Sequence, residues 1–231
     1  MSLAEDDYGM EASDRVQPRS AVSSWHERAR AVVAGGPDGN EQLTTIGGAI
    51  LIVLLAVIGI TIIRIGQLLW LHLFIGLLLL GPVAVKMAST GYRFLRYYTR
   101  NGVYRTKGPP EPILRAIAPI VVVSTVIVFA TGIALLITGV GGKHQWLLFH
   151  KASFIVWIVF TALHVLGHLP AYARYLRAGG ARAELLGTRP GAAGRWLVLG
   201  GGLAVGLIIA VALIPDFSSW TAHTAALHGD H

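Results

Sequence analysis

The sequence contains no cysteine. Disulfides, Cys-ligated zinc, thiolate-held iron–sulfur clusters, covalent haem attachment through Cys and a Cys nucleophile are all excluded. Charge is also scarce. Only 13% of residues are Asp, Glu, Lys or Arg, against about 25% in soluble domains. With 54% hydrophobic residues and a mean hydropathy of +0.61 over 231 residues, the composition is not that of a soluble globular protein. There is no phosphate-binding Gly-rich loop, no Gly-x-Gly-x-x-Gly fingerprint, no His-Glu-x-x-His motif and no Gly-x-Ser-x-Gly turn. The long apolar runs carry no Asp or Glu. That argues against a proton pump or cation transporter, in which buried carboxylates usually carry the ion.

What is present is five apolar stretches, near 46–63, 66–85, 116–142, 146–169 and 196–214. Each is close to the roughly 20 residues that cross a bilayer. Backbone amides in lipid must be paired within their own segment, so each reads as a helix. Lys86 lies just beyond the second run, Pro170 closes the fourth and Pro215 closes the fifth. The expected fold is an all-α integral membrane protein. Residues 1–45 are polar and read as a mobile cytoplasmic tail with a short surface helix near 22–33, and no signal peptide is recognised in them. Residues 172–195 form a basic loop, and 215–231 an extracytoplasmic tail holding His223, His228 and His231.

Lys and Arg set the orientation. Fifteen lie in the N-terminal tail and in the loops after the second and fourth spans, against three (Arg64, Lys143 and Lys151) on the other side. The expected topology places the chain in the plasma membrane with its N-terminus in the cytoplasm and its C-terminus outside. The formal net charge of +7 then follows from topology, and a nucleic-acid partner is not needed. Membrane lipid is a partner by composition, and the basic inner loops are placed to touch anionic lipid.

Ionisable residues inside spans are costly and are functional hypotheses by default. Here they are His72, Lys86, His150, Lys151, His164 and His168. His72 and Lys86 are 14 residues apart, as are His150 and His164. Fourteen residues rise about 21 Å and turn about 1400°, roughly 40° short of four turns. Each pair therefore lies near one helix face at two depths. The second and fourth spans run parallel, so His72 pairs in depth with His150, and Lys86 with His164. Haem iron in a helical bundle needs two axial donors on opposed helices, and neutral imidazole is the usual donor. Gly76, Gly81, Ala84, Gly132 and Ala134 offer room for a macrocycle. His168, one turn beyond His164, is an alternative ligand, a propionate partner or an interface residue. An i,i+4 His pair can also hold a lone metal, though no carboxylate is nearby. Ser124, Thr125 and Thr131 can bond to helix carbonyls or to ligand imidazoles.

On these residues the chain resembles the membrane cytochromes b of the cytochrome b561 type, including the haem-bearing anchor subunits of formate dehydrogenase and hydrogenase. The resemblance covers the first four spans, 46–169. It rests on His72 in WLHLFIGLLLLG, on LLFHKASF followed by TALHVLGH in the fourth span, and on the basic GYRFLRYY after the second. It implies a four-helix haem-binding bundle plus a fifth transmembrane helix, holding one or two haem b and moving electrons across the membrane. The implied partners are a quinone and an extracytoplasmic redox subunit such as a molybdenum dehydrogenase. The chain departs from the family at Lys86, where a second histidine is expected. Three readings follow: lysine is the sixth ligand, His168 or water takes part, or only the outer haem is present. The competing reading is a haem-free transporter or scaffold whose histidines are structural.

Overall fold

The computed structural model describes residues 36–99 and 112–222. Among them there are helices and no strand. We number the helices α1 (Gly36–Ile63), α2 (Ile65–Leu78), α3 (Leu80–Tyr98), α4 (Pro112–Thr138), α5 (Lys143–Arg177), α6 (Gly180–Leu185) and α7 (Ala192–Ala212). Five stretches are long and apolar enough to cross a membrane: Asp38–Ile63, Ile65–Tyr98, Ile113–Thr138, His144–Arg177 and Ala192–Ala212. Crossing alternately, they put the α1–α2 and α4–α5 turns and the C-terminal segment at one end, here the turn end. The connection 178–191, with the C-terminal end of α3 and the N-terminal end of α4, lies at the other, the loop end.

The helices run further than the apolar runs do. α1 is helical from the first described residue, Gly36, so 36–45 are helix rather than tail. Pro37 and Asp38 sit in its first turn, where a missing amide costs nothing and a negative charge meets the positive helix end. The proposed surface helix near 22–33 lies outside the described residues. The second span continues past Lys86 to Tyr98 as α3. The fourth continues through Pro170 to Arg177, so Pro170 does not close it. Prolines persist inside membrane helices because neighbouring groups re-satisfy the freed carbonyl.

The break between α2 and α3 has such a cause. Pro82 cannot donate to the Leu78 carbonyl. That carbonyl lies against Gly206 of α7, where a Cβ would collide with it. One turn away, a Cβ on Gly81 would collide with the Gly202 carbonyl. Small residues thus bring two backbones together. Gly81 therefore makes room for a helix rather than for a macrocycle.

The five spans form two units. α7 packs on α2 and α3, and α1 packs on both of these and on α7. α4 and α5 form a tightly packed hairpin. The fifth span is part of the first unit and not an appendage to a four-helix core. The largest buried cluster joins Leu77, Leu78, Leu136 and Ala210 to Phe217 and Trp220. The last two come from the segment after Pro215, which the sequence presents as a free tail. It turns back through a 3-10 helix, Ile214–Phe217, and buries its aromatics across the units. Phe217 meets Trp70 edge-on at 6.0 Å. The tail histidines, 223 onward, lie outside the described residues.

Candidate functional site

Between the units, α1 faces α5 across an apolar cavity of about 270 Å³. Ile52, Ile58 and Gly59 line one wall, and Phe154, Trp157 and Thr161 the other. A Cβ on Gly59 would meet nothing within 4 Å. Toward the turn end stand two histidines, His72 on α2 and His150 on α5, within electrostatic range of each other. Phe154 is one turn from His150, and Ile58 and Ile62 flank Thr61, so the apolar room begins beside the imidazoles.

Each imidazole is held by a threonine. Thr61 Oγ1 donates to the Ile58 carbonyl (2.6 Å) and lies 2.9 Å from His72 Nδ1. Its single hydrogen is spent on the carbonyl, so it accepts from Nδ1–H. Thr131 Oγ1 lies 2.8 Å from the Ile127 carbonyl, 3.0 Å from that of Val128 and 3.2 Å from His150 Nδ1. With each threonine accepting from Nδ1–H, the lone pair of each ring stands on Nε2, and no hydrogen bond reaches either Nε2 among the described residues. This is how ligating histidines are oriented: an outer partner on one nitrogen fixes the tautomer and the ring plane. Thr131 is one of the residues whose partner the sequence leaves open. Thr61 escapes sequence reading, although it is the one polar residue near the end of a long apolar run. A methyl on Gly132 would press on His150 Cε1 at 3.1 Å, so the room there is used by the imidazole itself.

The second polar level sits toward the loop end. Lys86 Nζ donates to the Thr44 carbonyl on α1 at 2.5 Å. Asn40 Nδ2 donates to the Ser89 carbonyl at 3.1 Å, which ties α1 to α3 again. Lys86 Nζ and the Tyr172 hydroxyl both crowd Gly48, which has no side chain to exclude them. His164 lies in electrostatic range of Lys86 and His168. Its ring meets that of His168 edge-on, with centroids 4.6 Å apart. The His164 Nδ1 and Thr161 hydroxyl are buried without a hydrogen-bond partner among the described residues. The structure thus puts Lys86 within electrostatic range of His164, and His72 within electrostatic range of His150, at two levels.

Lys86 is not near a helix end, since α3 runs to Tyr98, and its amine is engaged by a backbone carbonyl. Among the described residues no three His, Cys, Asp or Glu side chains gather as a metal-ion site. His164 and His168 therefore have no third such ligand for a lone metal. Two axial imidazoles on a haem need no such trio. Ser124 and Thr125 both donate to the Val121 carbonyl, and Thr125 accepts from Trp157 Nε1 at 2.9 Å. Comparison with protein-family models, curated proteins and solved structures finds no match.

Proposed function

We propose that this chain is an integral-membrane b-type cytochrome, an electron-transfer subunit of an oxidoreductase complex. His72 and His150 would hold the iron of a haem b. The observation that carries this reading is the matched pair of threonine-anchored imidazoles, each with a bare Nε2, at one level beside an apolar cavity. Bound there, haem b supplies a one-electron carrier inside the membrane. The chain's own groups do the rest. Thr61 and Thr131 hold the ring planes, Gly132 admits the His150 ring, and the apolar walls exclude water.

The other level meets fewer of these conditions. Lys86 donates its amine to Thr44, and nothing anchors His164 Nδ1. We therefore assign one haem per chain and read Lys86 as a tie between α1 and α3 rather than as an iron ligand. The basic loop end faces the cytoplasm on the positive-inside rule, which puts the haem in the outer leaflet near an extracytoplasmic redox subunit. A molybdenum dehydrogenase has the right chemistry for that partner, and a quinone for the carrier at the other end.

The test is spectroscopic. Protein purified in detergent from haem-replete cells is expected to be red, with a Soret band that sharpens on reduction and a pyridine hemochrome yield near one haem per chain. His72→Ala and His150→Ala are each expected to lose the haem, while Lys86→Ala and His164→Ala keep it. Two haems per chain would return the second level to ligation. A colourless preparation would select the second reading, a haem-free scaffold, because threonine-bonded histidines also serve as plain interhelical ties.

A further inference from the structure

The connection 178–191 is built more firmly than a linker between two spans requires. Gly179, Gly187 and Gly191 turn it with φ of 68°, 66° and 74°, a left-handed backbone natural to glycine. α6 lies between the first two. Gly180 lies against the Tyr175 ring, where a Cβ would collide, and the Arg189 guanidinium sits 5.7 Å from that ring's centroid. A buried ion pair then ties α6 to the start of α7. Arg195 Nε and Nη2 donate to the two carboxylate oxygens of Glu184 at 2.6 and 2.8 Å, and Nη1 donates to the Pro190 carbonyl at 2.9 Å. Both side chains are buried, Glu184 to 1% exposure.

This clamp decides the charge of the surface. Glu184 is the only acid between positions 143 and 215, and Arg195 takes both of its oxygens. Arg174, Arg177, Arg182 and Arg189 are left with no carboxylate from this stretch of chain, and the first three are exposed. Leu176, Leu185 and Leu186 are exposed beside them, at 62%, 72% and 65%. The Tyr175 hydroxyl, under Arg189, has no hydrogen-bond partner among the described residues. Large aliphatic side chains among arginines at the end of two membrane spans suit the boundary between acyl chains and anionic headgroups.

We infer that 174–191 is a preformed foot that binds anionic phospholipid headgroups, held in shape by the ion pair of Glu184 with Arg195. The arginines meet the phosphate, and the exposed leucines enter the acyl boundary. The inference is independent of the haem assignment.

The experiment uses the full chain in uncharged detergent, titrated with phosphatidylglycerol or phosphatidylcholine, with retained lipid counted by native mass spectrometry. Phosphatidylglycerol is expected to be retained in preference. One basic residue near an anionic surface strengthens binding about fivefold, so Arg182→Ala with Arg189→Ala is expected to weaken retention tenfold or more. Arg93→Ala with Arg96→Ala, in the last turns of α3 at the same end of the molecule, is expected to change it less than twofold. Equal retention of the two lipids, or equal losses from the two pairs, would overturn the proposal. Glu184→Gln separates shape from charge. It adds one net positive charge and releases the clamp, so a patch acting by charge alone would bind more tightly. The foot is expected to bind several-fold more weakly, and tighter binding would overturn it. Should Glu184→Gln fail to assemble, the pair Arg182→Ala with Arg189→Ala still decides.

Discussion

A threonine whose hydrogen is committed to a backbone carbonyl can do one thing for a neighbouring imidazole, which is to accept its N–H. Thr61 stands in that position toward His72 and Thr131 toward His150. Replacing either with the near-isosteric Val removes the acceptor and keeps the shape. Loss of such an outer partner typically costs about 10–100-fold in metal affinity. Thr61→Val and Thr131→Val are therefore expected to reduce haem occupancy and to shift the reduction potential of the haem that remains. Thr125→Val, which loses a bond to Trp157 instead, leaves both unchanged. A redox titration of the three variants separates these outcomes, and three identical potentials would strip the threonines of the role. Gly132 gives a steric counterpart. Gly132→Ala is expected to displace the His150 ring and lower haem content, while Gly141→Ala, whose Cβ would meet nothing within 4 Å, leaves it intact. The histidine and lysine positions were legible in the sequence because ionisable residues stand out against apolar ones, and a 14-residue spacing fixes face and depth. The threonines were not legible as anchors. A hydroxyl in a membrane helix is satisfied by its own i−4 or i−3 carbonyl, and only the fold shows which ones also meet a ring.

At the scale of the element, the apolar runs marked where helices cross but not where they stop. Hydropathy falls at Lys86 and at Pro170, yet the backbone stays helical to Tyr98 and to Arg177. Hydropathy reports contact with lipid, whereas a helix continues while its backbone groups find partners in itself, in neighbouring groups or in water. The return of 213–222 onto the bundle was hidden for a different reason. Phe217 and Trp220 are isolated aromatics in a short polar segment, and their burial depends on partners distant in sequence, among them Leu77 and Leu136. The glycines of α7 show how the same residue type can matter or not within one turn. Gly202 and Gly206 face α2 and α3, while Gly200 and Gly201 face open space. Gly206→Ala must move the Leu78 carbonyl or part the helices, and overpacking of this kind costs about 1–3 kcal/mol. Gly201→Ala is expected to be neutral or slightly stabilising, because alanine favours helix over glycine. Thermal unfolding in detergent, followed by loss of helical circular dichroism, checks the contrast. Equal melting of the two variants would mean that α7 does not approach α2 and α3 as closely as described.

At the scale of the molecule, two levels of polar side chains sit toward opposite ends of an otherwise apolar body, and the sense of insertion decides which compartment the haem proposed for the His72 and His150 level would stand near. The charge asymmetry predicts that sense. Fifteen Lys and Arg in the N-terminal segment and in and around the loop-end connections, against three at the turn end, argue for a cytoplasmic loop end on the positive-inside rule. The buried ion pair of Glu184 with Arg195 does not disturb the count, since it removes one positive charge from a large excess. The absence of cysteine makes the prediction directly testable, because any cysteine introduced is the only site a thiol reagent can label. Ser219→Cys, exposed at the turn end, is expected to react with a membrane-impermeant maleimide in intact cells. Arg182→Cys, exposed at the loop end, is expected to react only after the membrane is opened. The reverse pattern would place His72 and His150 in the cytoplasmic leaflet, and the redox partner proposed for that level would then have to be a cytoplasmic one.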